Sequence, residues 1–320
     1  MDGLLIVDKP SGPTSHDIVA RVRRALREKR IGHTGTLDPM ASGVLPLVVG
    51  RATRLARFIG GDKAYDATIR LGLNTDSGDA LGVPVGTPYT GPWPERAVIE
   101  AALDRCRGTF LQQPPAFSAK KIAGRRSYAL ARKARANAAA AVAETDGPAD
   151  TDAQAPLPDP VEVTAYAIEL LEAADDRVRV SVRCSAGFYI RSLAFDLGAA
   201  LGTGAHLTAL RRTEAAGVGL DRAVPLDRIE AGAGASALVP LEQMLTELPA
   251  VSLTEGGVAH VRFGRNLGPA DASAGFAAAV TAAMSAPGRV VRVLGPSGQL
   301  VAMAKASDTP GLLHPDVVLL

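Results

Sequence analysis

Two cysteines in 320 residues, Cys106 and Cys184, stand far apart and at no CxxC spacing. That excludes a disulfide framework and a thiolate zinc cage, and the plain reading of each is a small buried hydrophobe. Aromatic residues make up only 4% of the chain, so its core must be mainly aliphatic. The Ala-rich stretch 272–287 is the longest uncharged run, and it is too short and too weakly apolar to span a membrane. The start carries Asp2, Asp8 and Lys9 and does not read as a signal peptide. A soluble, cytoplasmic protein is expected. Familiar chemical signatures are missing as well: no GxxxxGK[ST], no HExxH, no GxSxG and no HxE with PCxxC. The histidines, His16, His33, His206, His260 and His314, never fall at metal-ligand spacing. Neither metal nor cofactor is expected, so any reaction must run on carboxylates, hydroxyls and charge.

What is present describes a folded chain. Hydrophobic residues reach 47% and charged residues 21%, ordinary for a globular protein, and the length suits one large and one small domain. Ile18, Val19, Val22, Ala25 and Leu26 recur on one face of a helix predicted from Ser15 to about Glu28. Thr14 and Asp17 give it a capping box. A second helix is predicted from about Pro94 to Arg107, stopped by Gly108, and a third after Gly187 with Ile190, Leu193, Ala194 and Leu197 as its stripe. Tyr65, Ala67, Ile69 and Leu71 alternate with polar residues, as do Val178, Val180, Val182 and Cys184, and both segments read as strands. Without a regular βαβ period, the fold class is α+β. Residues 136–160, Ala-rich and then Asp/Pro-rich, read as a mobile insertion. From about residue 248, strand signals at 289–294 and 299–305 flank the turn Pro296-Ser297-Gly298 and suggest a small β-rich domain.

Charge is unevenly spread. The chain totals 35 Lys/Arg against 33 Asp/Glu, a net +2. Yet residues 1–60 hold ten Lys/Arg and five Asp/Glu, and residues 101–135 hold nine Lys/Arg against Asp104 alone. Residues 136–176 hold ten Asp/Glu and no Lys/Arg. A charge run is commonly a solvated face, but two basic blocks in a near-neutral chain also make a footprint for a polyanion such as nucleic acid.

The most unusual stretch is Gly32-His33-Thr34-Gly35-Thr36-Leu37-Asp38-Pro39-Met40-Ala41-Ser42-Gly43-Val44-Leu45. Pro39 pushes Asp38 out of the α region, and the glycines leave a carboxylate on a loop ahead of an apolar run, 44–49, that reads as a buried strand. Local residues alone leave two readings open, a turn-capping aspartate or a catalytic carboxylate.

Read with the rest of the chain, this stretch resembles the catalytic GHTGTLDPxAxGVL of the TruB-type family of bacterial tRNA pseudouridine-55 synthases. Five further motifs match in order. Lys9 to Ser15 resembles KPxGxTS, and Lys63-Ala64-Tyr65 resembles the KxY strand motif. Gln113 to Lys121 resembles QxPPxxSAxK, Cys184 to Arg191 resembles CSxGTYIR, and Gly204 to Arg212 resembles GAHLxxLRR. The likeness covers roughly residues 3–245, and six ordered motifs make it specific. It implies a pseudouridine synthase fold, a mixed and mostly antiparallel sheet flanked by helices, as the catalytic domain 1–247. A weaker likeness of 248–320 to small PUA-type RNA-binding domains implies the second.

The resemblance implies that a uridine of the tRNA TΨC stem-loop is flipped out, its glycosidic bond broken and the base rejoined through C5. Asp38 would be the catalytic carboxylate, Arg191 its charge partner, and Tyr65 the ring that stacks on the base and serves in proton transfer. Tyr189 and Leu210 would touch the uridine, His33 would stack on the opened RNA, and Lys9, Lys120 and Lys121 would contact phosphates. From local pattern alone Tyr65 and Leu210 also read as core, and Arg191 as a solvated helix residue. Residues 118–135 would be a basic RNA-gripping thumb loop, ordered on binding RNA. Phe188 departs from the family's Thr, with a shifted pocket expected, and the acidic insertion 136–160 lies outside the usual pattern. A monomer is expected. The alternatives are an RNA-binding, tRNA-folding protein with incidental catalysis, and a carboxylate-based N-glycosidase that releases the base.

Overall fold

The computed structural model describes residues 1–118, 120–144, 156–286 and 288–320. In chain order, β1 (Gly3–Lys9), α1 (Ser15–Leu26), β2 (Ile31–His33) and β3 (Ser42–Val49) come first. β4 (Lys63–Leu71), the short pair β5 (Asn74–Thr75) and β6 (Pro84–Val85), α2 (Arg96–Asp104) and β7 (Gly108–Gln112) follow. Then come β8 (Lys121–Ile122), β9 (Arg125–Arg126), α3 (Ser127–Glu144), β10 (Val161–Ala174), β11 (Arg177–Cys184), α4 (Ile190–Leu201), β12 (Ala205–Ala215) and β13 (Val218–Gly219). The last stretch holds β14 (Val224–Pro225), α5 (Leu226–Arg228), β15 (Ala250–Leu253), α6 (Glu255–Arg262), β16 (Ala272–Ala274), α7 (Phe276–Met284), β17 (Val290–Leu294), β18 (Leu300–Ala306) and β19 (Leu313–Val318). The chain divides into two compact units, Met1–Asp38 with Leu45–Gly60 and Asp221–Leu320, and Pro39–Val44 with Gly61–Leu220.

In the second unit, the start of β3 is followed by β12, β4, β11, β10 and β7 in hydrogen-bonded order. The ladders are antiparallel except β3 on β12, which is parallel at Ser42–Arg211 and Gly43–Arg212. The sheet is therefore mixed and mostly antiparallel. Alternation decides its faces. Ala67 lies opposite Val180 and Leu210, and Ile69 opposite Val178 and Leu207, so the buried residues of three strands share one side. Helix α4 packs on β12 and β4, and α2 packs on α4 and β10. Their stripes, Leu193 and Leu197 with Ile99 and Leu103, are fully buried, each contributing roughly 1.5–3 kcal/mol. The opposite face keeps Asp66, Arg70, Arg179 and Arg183 in water, as a one-sided antiparallel sheet does. Gly198 lets α4 lie close on the start of β12, because a β-carbon there would sit 2.3 Å from the Ala205 nitrogen.

In the first unit, β1 pairs with β14 in parallel, and β2 pairs with the end of β3 from Ile31–Val49 to His33–Leu47. Helix α1 has the predicted capping box: the Thr14 hydroxyl accepts from the Asp17 N–H at 3.1 Å, and the Thr14 N–H donates to the Asp17 carboxylate at 2.8 Å. It ends at Leu26 rather than Glu28, because Arg27 turns left-handed at φ 50°. The C-terminal sheet runs β16-β15-β17-β18-β19 around a core that includes Val251, Leu253, Val261, Leu267, Val291, Val293 and Val301. The two strands expected at 289–294 and 299–305 are β17 and β18. Arg51 and Arg54, between β3 and β4, donate to the carbonyls of Leu319 and Val318.

The basic stretch 118–135, expected as a loop, has regular structure from Lys121 onward. Ala123 and Gly124, both at positive φ, make a two-residue turn between β8 and β9, and α3 starts at Ser127. The Ser127 hydroxyl donates to the Ala116 carbonyl at 2.6 Å, tying the helix start to the segment before it. Of the insertion 136–160, the first residues continue α3 to Glu144, and 145–155 lie outside the described residues.

Candidate active site

Asp38 stands at the end of a loop that leaves β2 at His33. Ser15, the first residue of α1, reaches that loop with its hydroxyl. It accepts from the Leu37 N–H at 2.9 Å and donates to the Leu37 carbonyl at 3.0 Å. Ser15 is 1% exposed and Leu37 3%, so both bonds are shielded from water. The Thr34 N–H donates to the Pro46 carbonyl at 3.2 Å. Asp38 itself is half-buried. His33 is half-buried and meets the exposed His16 edge to face, with ring centres 5.3 Å apart. Asp38 and His33 belong to the first unit.

Tyr65, Tyr189, Arg191, Leu210 and Lys120 belong to the second. Tyr65 is buried near the start of β4, between Val182 on one neighbouring strand and Arg212 on the other. Leu210 is buried opposite Ala67. Arg191, expected locally on a solvated face, is instead buried in the first turn of α4. Its guanidinium donates to two carbonyls from separate segments, Ser77 at 2.8 Å and Phe117 at 2.8 Å. Tyr189 is gripped through its backbone: the Gln112 amide donates to its carbonyl at 3.1 Å and accepts from its N–H at 2.8 Å. The Ser192 hydroxyl donates to the Gln113 carbonyl at 2.6 Å. The base of the basic segment is thus stitched to the start of α4.

Two of these supports escape a reading of the sequence. The Ser77 turn is braced by buried Asp79, whose carboxylate accepts from the Ser77 hydroxyl at 2.8 Å and the Leu81 N–H at 3.0 Å. The run Asn74-Thr75-Asp76-Ser77-Gly78-Asp79 is dense in turn residues and carried that signal. Gln112, 1% exposed, carried none.

Lys9 requires a correction. Expected to contact phosphate, it is fully buried, and its ammonium donates to the Pro10 carbonyl at 3.0 Å. As placed, it does not face solvent. Lys120 is half-buried, while Lys121, Arg125, Arg126, Arg132 and Lys133 are exposed. Arg126 and Arg132 lie 6.0 and 5.6 Å from the centre of the Tyr128 ring. Phe188 is buried and meets Phe110 edge to face, with ring centres 6.1 Å apart.

Gly43, within the Asp38 motif, explains itself. Its φ is +100°, and a β-carbon would sit 2.1 Å from the Arg212 carbonyl oxygen. Arg212 is 1% exposed and donates to the Val44 carbonyl at 2.7 Å. Burial, and then the Arg212 charge, hold the Lys63 amine below its ordinary value. Burial pushes the Cys184 thiol up to about 12 and the Cys106 thiol to about 11, consistent with inert core cysteines. Among the described residues, no group of three or more His, Cys, Asp or Glu is placed to hold a metal ion, and no helix is long and apolar enough to cross a membrane.

The same architecture occurs in a solved structure of an H/ACA RNP bound to a substrate RNA containing 2′-deoxyuridine. The match has a TM-score of 0.67 at 25% identity and covers 99% of this chain and 85% of that one. The archaeal box H/ACA sRNP Nop10-Cbf5 complex matches at TM-score 0.66 and 26% identity, over 99% and 86%. These likenesses define the class: the chain has the pseudouridine synthase fold. Residues 23–144 match the TruB family pseudouridylate synthase N-terminal domain, and residues 191–247 match the tRNA pseudouridylate synthase B C-terminal domain. A protein of Solibacter usitatus (strain Ellin6076) named tRNA pseudouridine synthase B is 40% identical over the full length of both chains. Relatives of the same name in Gloeobacter violaceus and Mycobacterium sp. (strain KMS) are 41% and 43% identical, over 87% of this chain and 90% and 88% of theirs. The chain belongs to the TruB family of pseudouridylate synthases, which makes it an isomerase.

Proposed function

We propose that the chain converts uridine 55 in the TΨC loop of tRNA into pseudouridine, as a cytoplasmic monomer needing neither metal nor cofactor. The observation that carries this reading is the end-to-end likeness to a protein named tRNA pseudouridine synthase B. Residues 1–247 would form the catalytic part and 248–320 a PUA-like RNA-binding part.

The reaction begins with extrusion of the uridine, which costs a few kcal/mol and is offset by contacts to the freed base. Tyr65 stacks on it, with Tyr189 and Leu210 around it, and His33 holds the opened loop. The N1–C1′ bond breaks with its electron pair leaving on N1. Asp38 stabilises or captures the electron-poor C1′, as carboxylates do in glycoside hydrolysis. The base turns, C5 bonds to C1′, the C5 proton departs to solvent and N1 regains a proton, so the product has unchanged mass. Arg191 supplies the positive charge of the reaction centre. Exposed Lys121, with Lys120, Arg125 and Arg126, contacts phosphates, and binding weakens as salt rises.

An unmodified tRNA transcript tritiated at uridine C5 tests this reading. Tritium release from one TΨC uridine is expected, and Asp38→Asn should abolish it while holding RNA affinity within about tenfold (~1.4 kcal/mol). Tight binding without release would favour the RNA-folding role, and free uracil an N-glycosidase.

A further inference from the structure

We infer that Ser15 is a positioning residue for Asp38, a dedicated clamp that sets where the carboxylate sits. The inference rests on the reading of Asp38 as the catalytic carboxylate. A serine hydroxyl offers one donor and two acceptor sites, and Ser15 spends both functions on one residue, Leu37. The two partners are 22 positions apart in sequence, so the bond pair is a tertiary device. It pins the peptide groups on either side of Leu37, the second of which is the peptide that joins Leu37 to Asp38. From the other side Pro39 restricts the backbone of Asp38. The carboxylate is therefore bracketed between a pinned residue and a proline.

The anchor is rigid. Ser15 opens α1, whose start is locked by the Thr14–Asp17 capping box, and Ile18, Val19 and Val22 bury the helix. A group held by a rigid element places its target more closely than one held by a loop. Buried N–H and C=O groups require partners, and at 1% exposure water has little access to replace the hydroxyl. This gives a physical reason why the Lys9–Ser15 and Gly32–Leu45 motifs occur in one chain: the first ends in the residue that holds the second.

Single-turnover tritium release with excess enzyme, alongside filter-binding affinity for the same transcript, tests the clamp. Ser15→Ala should slow the chemical step about 10- to 100-fold, with RNA affinity changed less than about threefold and thermal unfolding still cooperative. Ser15→Thr, which restores a hydroxyl, should recover most of the rate. A wild-type rate in Ser15→Ala, a loss confined to RNA affinity, or an equal loss in a stable Ser15→Thr would each overturn the inference. Should Ser15→Ala fail to fold, Ser15→Cys decides: its longer, weaker bonds should slow chemistry in a folded protein, and an unslowed rate overturns the clamp. Asp38→Asn runs beside them. Turnover by that variant sinks the reading of Asp38, whereas a dead Asp38→Asn beside a fast Ser15→Ala sinks only the clamp.

Discussion

Tyr65 and Leu210 are held by their strands, Tyr65 between two neighbouring strands and Leu210 opposite Ala67, with a helix layer over the face they share. Asp38 sits beyond a three-residue strand, on a loop whose neighbouring residue is held by a serine. The two regions carry residues of the same proposed reaction and differ in how position is enforced. In the sheet, position is a by-product of burial, so disturbing it disturbs the fold. On the loop, position depends on a few directed bonds, so it can be lost while the fold survives. Changes in the sheet should therefore appear as lost stability, and changes at the clamp as lost rate.

The largest stability loss should follow Gly43→Ala. The new β-carbon meets the Arg212 carbonyl oxygen at 2.1 Å in a backbone at φ +100°, a combination costing about 3 kcal/mol or more. Urea unfolding measures it, and an unchanged midpoint would break the contrast by showing that β3 shifts cheaply on β12. Gln112→Ala comes next. It removes both side-chain bonds to the Tyr189 backbone, leaving the carbonyl with the Leu193 N–H, and should cost about 1–2 kcal/mol, with weaker RNA turnover in proportion to any displacement of Tyr189. Thr14→Ala, which removes the cap of α1, should cost about 1 kcal/mol and sharpen the comparison if rate falls further than stability, since Ser15 opens that helix.

The last effect is absent at neutral pH and confined to alkaline pH. Burial keeps the Cys184 thiol protonated up to about 12, against an ordinary value of 9.0. The raised value in the folded state means the contribution is intact below pH 9 and is lost as pH climbs from there towards 12. Denaturant midpoints from pH 8 to 11 should fall more steeply for the wild type than for Cys184→Ala, and parallel slopes would show that the thiol is reached by water in the folded state.

Sequence pattern located those parts of the fold whose residues repeat at a fixed spacing. The stripe of α1, the alternation of β4 and β11, and the helix after Gly187 all depend on burial of one face, and periodicity reports burial directly. The basic segment reads as a loop from its sequence because it lacks large apolar anchors. Its run of Ala, Leu, Arg and Lys from Ala129 onward nevertheless consists of strong helix formers, which weigh most where packing is absent. The site was legible as motifs and opaque as geometry. Nothing near Lys9 signals that its amine is enclosed, and nothing in Gln112 or Ser15 announces a partner far along the chain, since such pairings arise only when the elements assemble.

The enclosed amine of Lys9 has a practical consequence. A reagent that acylates amines finds Lys121 at once and passes Lys9 by until the end of β1 opens. Modification at Lys9 is thus a clock for local opening, and, with Lys121 on a phosphate as proposed, protection there would gauge occupancy by RNA. A single mass-spectrometric time course that follows both lysines would separate a variant that has lost its shape from one that has only lost its grip.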